Sequence, residues 1–413
     1  MVECWAETPV LLFAFGSFFV VQFAERLQSL PPYLFSEIAR LKAKAIAEGR
    51  DLIDFGNGDP DLPTPQPIID ALAKAANDSA THRYDETPYG WPPFINAVAE
   101  WYRRRFGIEL DTSKGEVLEL IGSKEGLAHL AWSYISPGDI SLVPEPGYTV
   151  YKVNTTMAGG EPYIMPLLAE NGFLPDLTAI PSEVAKRARL LFINYPNNPT
   201  SAVATPEFFA DVSRFAQDYA IIVCHDAAYT DVAYDGYLAP SFLQVPGAKD
   251  IGIEIHSLSK GYNMAGWRIA AAVGNADVIQ GLNKMKSNVD SKQFPAIAQA
   301  AAYALLHVEN PDTIAVYQKR RDIIIEGLNS MGWNLPKTKA TLYIWAPVPP
   351  NYSSTEFAKV LLEKAGLLVI PGIGYGPNGE GYIRMSLTVS GDNNGDRVAE
   401  AMKRLKENVE IHW

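Results

Sequence analysis

Cysteine is nearly missing from this chain. Its 413 residues include two, Cys4 and Cys224, too few for a disulfide framework, which points to a reducing compartment, the cytoplasm. Metal-binding spacings are missing as well. The six histidines are scattered, with no H-E-x-x-H or C-x-x-C pattern, so no metal site is expected. Basic charge is in deficit: 35 Lys and Arg face 47 Asp and Glu, a net charge of −12, which argues against a nucleic-acid partner and for solubility. There is no block of like charge, no low-complexity tail and no internal repeat. Long apolar runs are also missing, with one exception. Pro9–Val21 is almost wholly apolar, but it is too short to span a bilayer, and Glu3 and Glu7 stand where a signal peptide carries basic residues. No membrane partner is expected. Residues 1–21 read as an apolar extension upstream of an ordinary beginning at Gln22; an interaction segment and a plain buried segment are the competing readings.

What is present is the composition of a globular protein, 47% hydrophobic and 20% charged, long enough for a sizeable core and more than one domain. From Val117 to Val273 short apolar strands (Val117–Ile121, Ile140–Val143, Leu190–Asn194, Ile221–Cys224, Ile253–Ser257, Ile269–Val273) are separated by helical patterns. Such continuous apolar strands predict an α/β fold, a mostly parallel sheet covered by helices on both faces. After Ser291 the texture changes. Long helices (Pro295–Leu306, Ile314–Met331) precede strands at Leu342–Trp345, Leu367–Ile370 and Tyr382–Leu387, with helices at Ser354–Ala365 and Gly395–Asn408. This reads as a smaller α+β domain over residues 301–413, completed by an N-terminal arm over 22–55 that holds a helix at Tyr33–Glu48. Residues 56–300 form the large domain.

Ligands of α/β proteins sit at the C-terminal ends of parallel strands, and four polar sets fall there. Ser257-Leu258-Ser259-Lys260, with Arg268 beyond it, sets an amine among hydroxyls and near a guanidinium. An amine condenses with an aldehyde, while hydroxyls and a guanidinium hold a phosphate ester, so the segment points to pyridoxal 5′-phosphate on Lys260. Gly122-Ser123-Lys124 follows a strand and opens a helix, an anion site. Asp226, after the strand Ile221–Cys224, can keep a pyridine nitrogen protonated, and Tyr229 can hydrogen-bond the cofactor's 3-oxygen. Asn198, in Asn197-Asn198-Pro199-Thr200, can donate its amide to that same oxygen. Tyr148 can stack on the ring. Arg384 can clamp a substrate carboxylate bidentately, and Gly58 lets backbone approach it.

In this order the residues resemble the fold-type-I, pyridoxal-phosphate-dependent aminotransferases, the aspartate aminotransferase superfamily, from about Gln22 to the end. The resemblance implies a large domain with a mostly parallel sheet flanked by helices, a smaller α+β domain, and ping-pong transfer of an amino group between an amino acid and a 2-oxo acid. It implies Lys260 as the catalytic base, Asn198 as a contact to cofactor and substrate, and a homodimer with shared active sites. It further implies a tyrosine crossing to the partner's phosphate, Tyr84 or its rival Tyr89. Two positions depart from the family pattern. Ser201 replaces the glycine that usually follows Asn-Pro-Thr, and Gly261 follows the lysine; activity is expected to survive both. The stretches Gly58–Pro65, Tyr262–Arg268, Ser287–Ser291 and Tyr343–Pro349 are most similar to the LL-diaminopimelate aminotransferase subgroup. That subgroup implies transfer between tetrahydrodipicolinate and glutamate in lysine synthesis. Alanine and aspartate aminotransferases share some of these stretches, and a C–S β-lyase of the same fold could use the same residues.

Overall fold

The computed structural model describes residues 12–14, 17–19, 22–28, 30 and 34–411. Within the apolar N-terminal stretch, Leu12–Ala14 and Ser17–Phe19 pair as antiparallel strands; the expectation about residues 1–21 otherwise lies outside the described residues. Among the described residues no helix is long and apolar enough to cross a membrane.

The centre is a seven-stranded sheet in the order Val117–Leu120, Ala270–Gly274, Gly252–Ser257, Ile222–Asp226, Ala188–Ile193, Ile140–Glu145, Glu161–Pro166. Ala270–Gly274 runs antiparallel to both neighbours, and the other pairings are parallel. Side chains alternate along each strand, so each strand feeds two cores. Leu191, Ile193, Val223, Ala271 and Val273 face one helical layer, and Leu190, Phe192, Cys224, Ile255 and Ala272 face the other. The six strands expected from apolar runs are all present. The seventh, Glu161–Pro166, carries no such run: it lies at the sheet's edge, half exposed.

A three-stranded antiparallel sheet, in the order Tyr343–Pro347, Tyr382–Ser386, Ile370–Pro371, anchors a second core with the helices Pro311–Asn329, Ser354–Val360 and Asp396–Asn408. The single strand expected over Leu367–Ile370 is two. Leu367–Leu368 pairs in parallel with Ile53–Asp54, and Ile370–Pro371 joins the three-stranded sheet, because this extended segment changes partners at Val369. The helix expected over Ser354–Ala365 loosens into a π turn at Leu361–Ala365 before Gly366 stops it. The boundary expected at residue 300 falls inside the helix Pro295–His307. That helix buries Ala298, Ala300, Ala301, Ala304 and Leu305 in the large core.

Buried ions tie these parts together. Arg320 is wholly buried; it grips Asp61 with two hydrogen bonds of 2.9 Å and donates to the carbonyls of Leu387, Val389 and Asp392. Asp61 of the Gly58–Pro65 stretch therefore fixes the loop before the site onto the helix Pro311–Asn329. Beneath the sheet's C-terminal edge, His225 places Nδ1 2.7 Å from Glu254 and Nε2 2.8 Å from the carbonyl of Tyr195. Burial pushes the Glu254 carboxyl up, but His225 beside it and the hydrogen bonds from His225, Tyr102 and Ser241 hold it below its usual range.

Candidate active site

The parallel strands deliver their C-terminal ends to one rim, and a cavity of about 480 Å³ opens there. It is lined by Gly58, Ser123, Lys124, Tyr148, Asn198, Asp226, Tyr229, Ser257, Ser259, Lys260, Arg268 and Arg384. Every site residue expected from sequence is in that set except the two rival tyrosines; Tyr84 is 85% exposed. Its rival Tyr89 packs its ring against Gly115 of the same chain.

Local folding explains how each group arrives. Asp226 ends the strand Ile222–Asp226 and is buried. Its Oδ2 accepts the Tyr151 hydroxyl at 2.8 Å, while Oδ1 is buried without a hydrogen-bond partner. Burial raises its pKa, against the Tyr151 hydrogen bond and the His225 charge. Ser257 ends the next strand and caps the short helix Leu258–Gly261, accepting the Ser259 N–H at 3.2 Å. That turn swings Lys260 inward, where Nζ donates to the Gly58 carbonyl at 2.9 Å and lies 3.5 Å from Asp59. Gly261 follows because a Cβ there would sit 2.6 Å from that of Asp231.

Ser123 opens its helix without capping it, after Gly122 at φ +78°. A Cβ on Gly122 would lie 2.2 Å from Nη2 of Arg268. The glycine thus lets the guanidinium lie against the helix start, and two anion-binding elements share one space. Arg268 itself has a left-handed backbone, φ 59°, and donates to the Ala265 carbonyl at 2.8 Å.

Arg384 is buried on the second strand of the small sheet. Nη1 donates to Asn198 Oδ1 at 3.1 Å and Nη2 to the Gly56 carbonyl at 2.9 Å, while Nε is buried without a partner. Its guanidinium lies 4.1 Å from the Tyr343 ring centroid and 5.2 Å from that of Tyr375.

Sequence reasoning gave no role to Tyr151, Asn194 or Tyr343. Asn194 donates to the Asp226 carbonyl at 2.7 Å and accepts the Asn198 N–H at 2.8 Å, welding two strand ends to the asparagine turn. Tyr151 comes three residues after Tyr148, just inside the helix Val150–Met157, and their rings meet edge to face with centroids 5.9 Å apart; that spacing was the available signal. Ser201 keeps the backbone that its replaced glycine would favour, φ 60°, and its hydroxyl donates to the Tyr343 carbonyl at 2.6 Å. Away from the cavity, Glu125, His129 and Asp290 bring metal-type ligands together. There the Lys286 ammonium, 2.7 Å from Asp290 and 3.5 Å from Glu125, already supplies the counter-charge.

Comparison with known proteins agrees with this geometry. Residues 50–402 match the family model for aminotransferase class I and II. LL-diaminopimelate aminotransferase of Moorella thermoacetica is 55% identical over 388 residues, 94% of this chain and 98% of the relative. The enzyme of that name from Syntrophobacter fumaroxidans is 54% identical, covering 93% and 98%. Among solved structures, substrate-bound BacF from Bacillus subtilis superposes with a TM-score of 0.87 at 36% identity, over 94% of this chain and 98% of that one. A probable N-succinyldiaminopimelate aminotransferase from Thermus thermophilus gives 0.84 at 35%, over 91% and 100%. The chain belongs to the class I and II aminotransferases, a family whose cofactor is pyridoxal 5′-phosphate. The residues fit that group: an unpaired buried carboxylate oxygen on Asp226 suits a ring N–H, and the Gly122–Arg268 cradle suits a phosphate.

Proposed function

We propose that this aminotransferase moves an amino group between LL-diaminopimelate and 2-oxoglutarate, in ping-pong fashion, in the service of lysine synthesis. The names and full-length similarity of the curated relatives support the substrate. The observation that carries the chemistry is the convergence of Lys260, Asp226 and Arg384 on one cavity. When bound, pyridoxal 5′-phosphate supplies an aldehyde for amines to condense with and a ring that withdraws electrons from the substrate's Cα–H bond.

The chain's own residues do the rest. Arg268, Ser257, Ser259, Ser123 and Lys124 hold the phosphate, with N–H groups of the Ser123 helix start aligned toward it. Asp226 accepts the ring N–H through Oδ1, and Tyr151 keeps its carboxylate from turning away. Tyr229 and Asn198 donate to the ring oxygen, and Tyr148 covers the ring face. Arg384 takes the substrate α-carboxylate, with Asn198 orienting the guanidinium and Gly58 leaving backbone close. Lys260 would serve as the base that takes up the substrate's Cα proton and gives it back at the cofactor's C4′.

The same reading includes a cytoplasmic homodimer. Tyr84, exposed on the single chain, reaches the partner's phosphate, while Tyr89 is committed to its own core. It also divides the chain into a cofactor-binding unit from residue 56 to 307 and a smaller unit made of 22–55 and the remainder.

The test is a panel of amino donors, LL-diaminopimelate, alanine, aspartate and glutamate, each mixed with the holoenzyme and followed by the spectrum of the half-reaction. Conversion by LL-diaminopimelate and glutamate is expected, with Lys260→Ala inert and Asp226→Ala slowed at least a hundredfold. Preference for alanine or aspartate refutes the substrate. Pyruvate and ammonia release from cystathionine, without amino transfer, refutes the reaction.

A further inference from the structure

We propose that Tyr343 is a positioning residue for this chemistry: its hydroxyl sets Tyr229 as a donor toward the cofactor, and its ring seats the Arg384 guanidinium. The inference rests on the site reading above and extends it to a residue on the small sheet.

The hydroxyls of Tyr229 and Tyr343 are 2.8 Å apart, and the rings meet edge to face with centroids 5.5 Å apart. A phenol carries one proton and accepts through its oxygen. If Tyr343 donates to Tyr229, the Tyr229 proton is left for the cavity. In the reverse arrangement Tyr229 spends its proton on Tyr343, whose own donation to the Gly58 carbonyl would span 3.4 Å, beyond a good hydrogen bond. The first arrangement makes a relay, and each hydrogen bond in such a chain polarises the next. Charged groups facing the pair are Asp226, Lys260 and Arg384, with Asp59 beside Lys260. Burial keeps the Tyr229 phenol protonated, against the pull of Arg384.

The ring serves the other half of the site. Arg384 stacks over it at 4.1 Å, a cation–π contact in a dry place. Tyr343 is held firmly enough to act as a seat. Its strand pairs with the strand of Arg384, Trp345 opposite Arg384 and Tyr343 opposite Ser386. Its carbonyl accepts the hydroxyl of Ser201, from the turn that presents Asn198. Gly58 leaves room for its hydroxyl, since a Cβ there would lie 2.5 Å from that oxygen. One side chain thus touches both the phenol that faces the cofactor and the arginine that faces the substrate.

The experiment is a pH titration of the visible chromophore that Lys260 forms with bound cofactor, in wild-type, Tyr343→Phe and Tyr229→Phe holoenzymes. When that chromophore loses its proton, charge gathers on the ring oxygen and leans on its donors, so a weaker donor raises the midpoint. Tyr229→Phe should raise it most, and Tyr343→Phe by about half a pH unit, with the thermal midpoint unchanged. Tyr343→Leu, which also removes the ring, should show the same rise and increase KM for the amino donor roughly tenfold, against less than twofold for Tyr343→Phe. A raised midpoint in Tyr229→Phe with none in either Tyr343 variant overturns this proposal and leaves the site reading standing. No rise in Tyr229→Phe overturns the role given to Tyr229 itself. An unchanged KM in Tyr343→Leu overturns the seating of Arg384.

Discussion

Replacing Gly122 by alanine perturbs the phosphate cradle without touching a group that bonds the phosphate through its side chain. The new Cβ would stand 2.2 Å from Nη2 of Arg268, and ordinary contact begins at 3.4 Å. The guanidinium must therefore retreat by 3.4 − 2.2 = 1.2 Å. Nη1 is tied to the Ala265 carbonyl at 2.8 Å and the backbone beneath is left-handed, so the retreat also pulls on that hydrogen bond. A retreat of that size takes a hydrogen bond out of range. Losing one charge-assisted bond to phosphate costs about 1.5–3 kcal/mol, a rise of roughly 10–150-fold in the cofactor Kd. The alanine also adopts φ +78°, which costs about 1 kcal/mol of stability on its own. Equilibrium titration of apoenzyme with cofactor, read at the visible band, separates the two effects from a thermal melt. In Arg268→Ala the clash partner is gone, so adding Gly122→Ala should cost little further affinity. Wild-type affinity in Gly122→Ala, or full additivity in the double variant, would show that the glycine does not act through Arg268.

Substitutions at two further positions report on the frame of the site. Glu119 is buried on the strand Val117–Leu120, where its carboxylate accepts the Trp91 N–H at 2.7 Å and burial pushes its pKa up from 4.5 to about 7. A carboxyl raised on folding gives stability that is full below the unfolded pKa and lost as pH rises through the folded one. Wild type should therefore lose on the order of 3 kcal/mol between pH 5 and pH 8 from this group, and Glu119→Gln should flatten that slope in urea unfolding; equal slopes in both proteins would sink the assignment. Ser201→Ala keeps the left-handed backbone and gives up the hydrogen bonds to Thr341 and the Tyr343 carbonyl, a loss of about 1–3 kcal/mol. Ser201→Gly loses the same bonds and relieves the strain, so thermal midpoints should fall in the order wild type, Gly, Ala; an alanine variant as stable as wild type contradicts this account.

Much of the fold was legible because burial on both faces leaves a plain mark: strands such as Leu190–Ile193 and Ile253–Ser257 read as short apolar runs. The edge strand Glu161–Pro166 leaves no such mark, since it is buried on little of its length. The change of partner at Val369 was equally silent, because an extended segment looks alike whichever sheet it joins. At the site, Lys260 and Asp226 were legible through their place at strand ends, and Arg268 through its chemistry and its nearness in sequence to Lys260. Tyr343 and Tyr151 were not, since a tyrosine in an apolar context reads as core until its hydroxyl is seen to meet Tyr229 or Asp226.

By itself, then, the sequence determined the alternation of strands and helices, the acidic and nearly cysteine-free character of the chain, and the amine, carboxylate and guanidinium that the chemistry requires. These are properties of residue type and local spacing, written one after another along the chain. The tertiary structure alone decided their relations: Asn198 set against Arg384 across the two sheets, Asp61 locked to Arg320, and Tyr343 placed between Tyr229 and Arg384. Those contacts join residues far apart in sequence. They depend on how two separately built cores dock, and no local pattern records that.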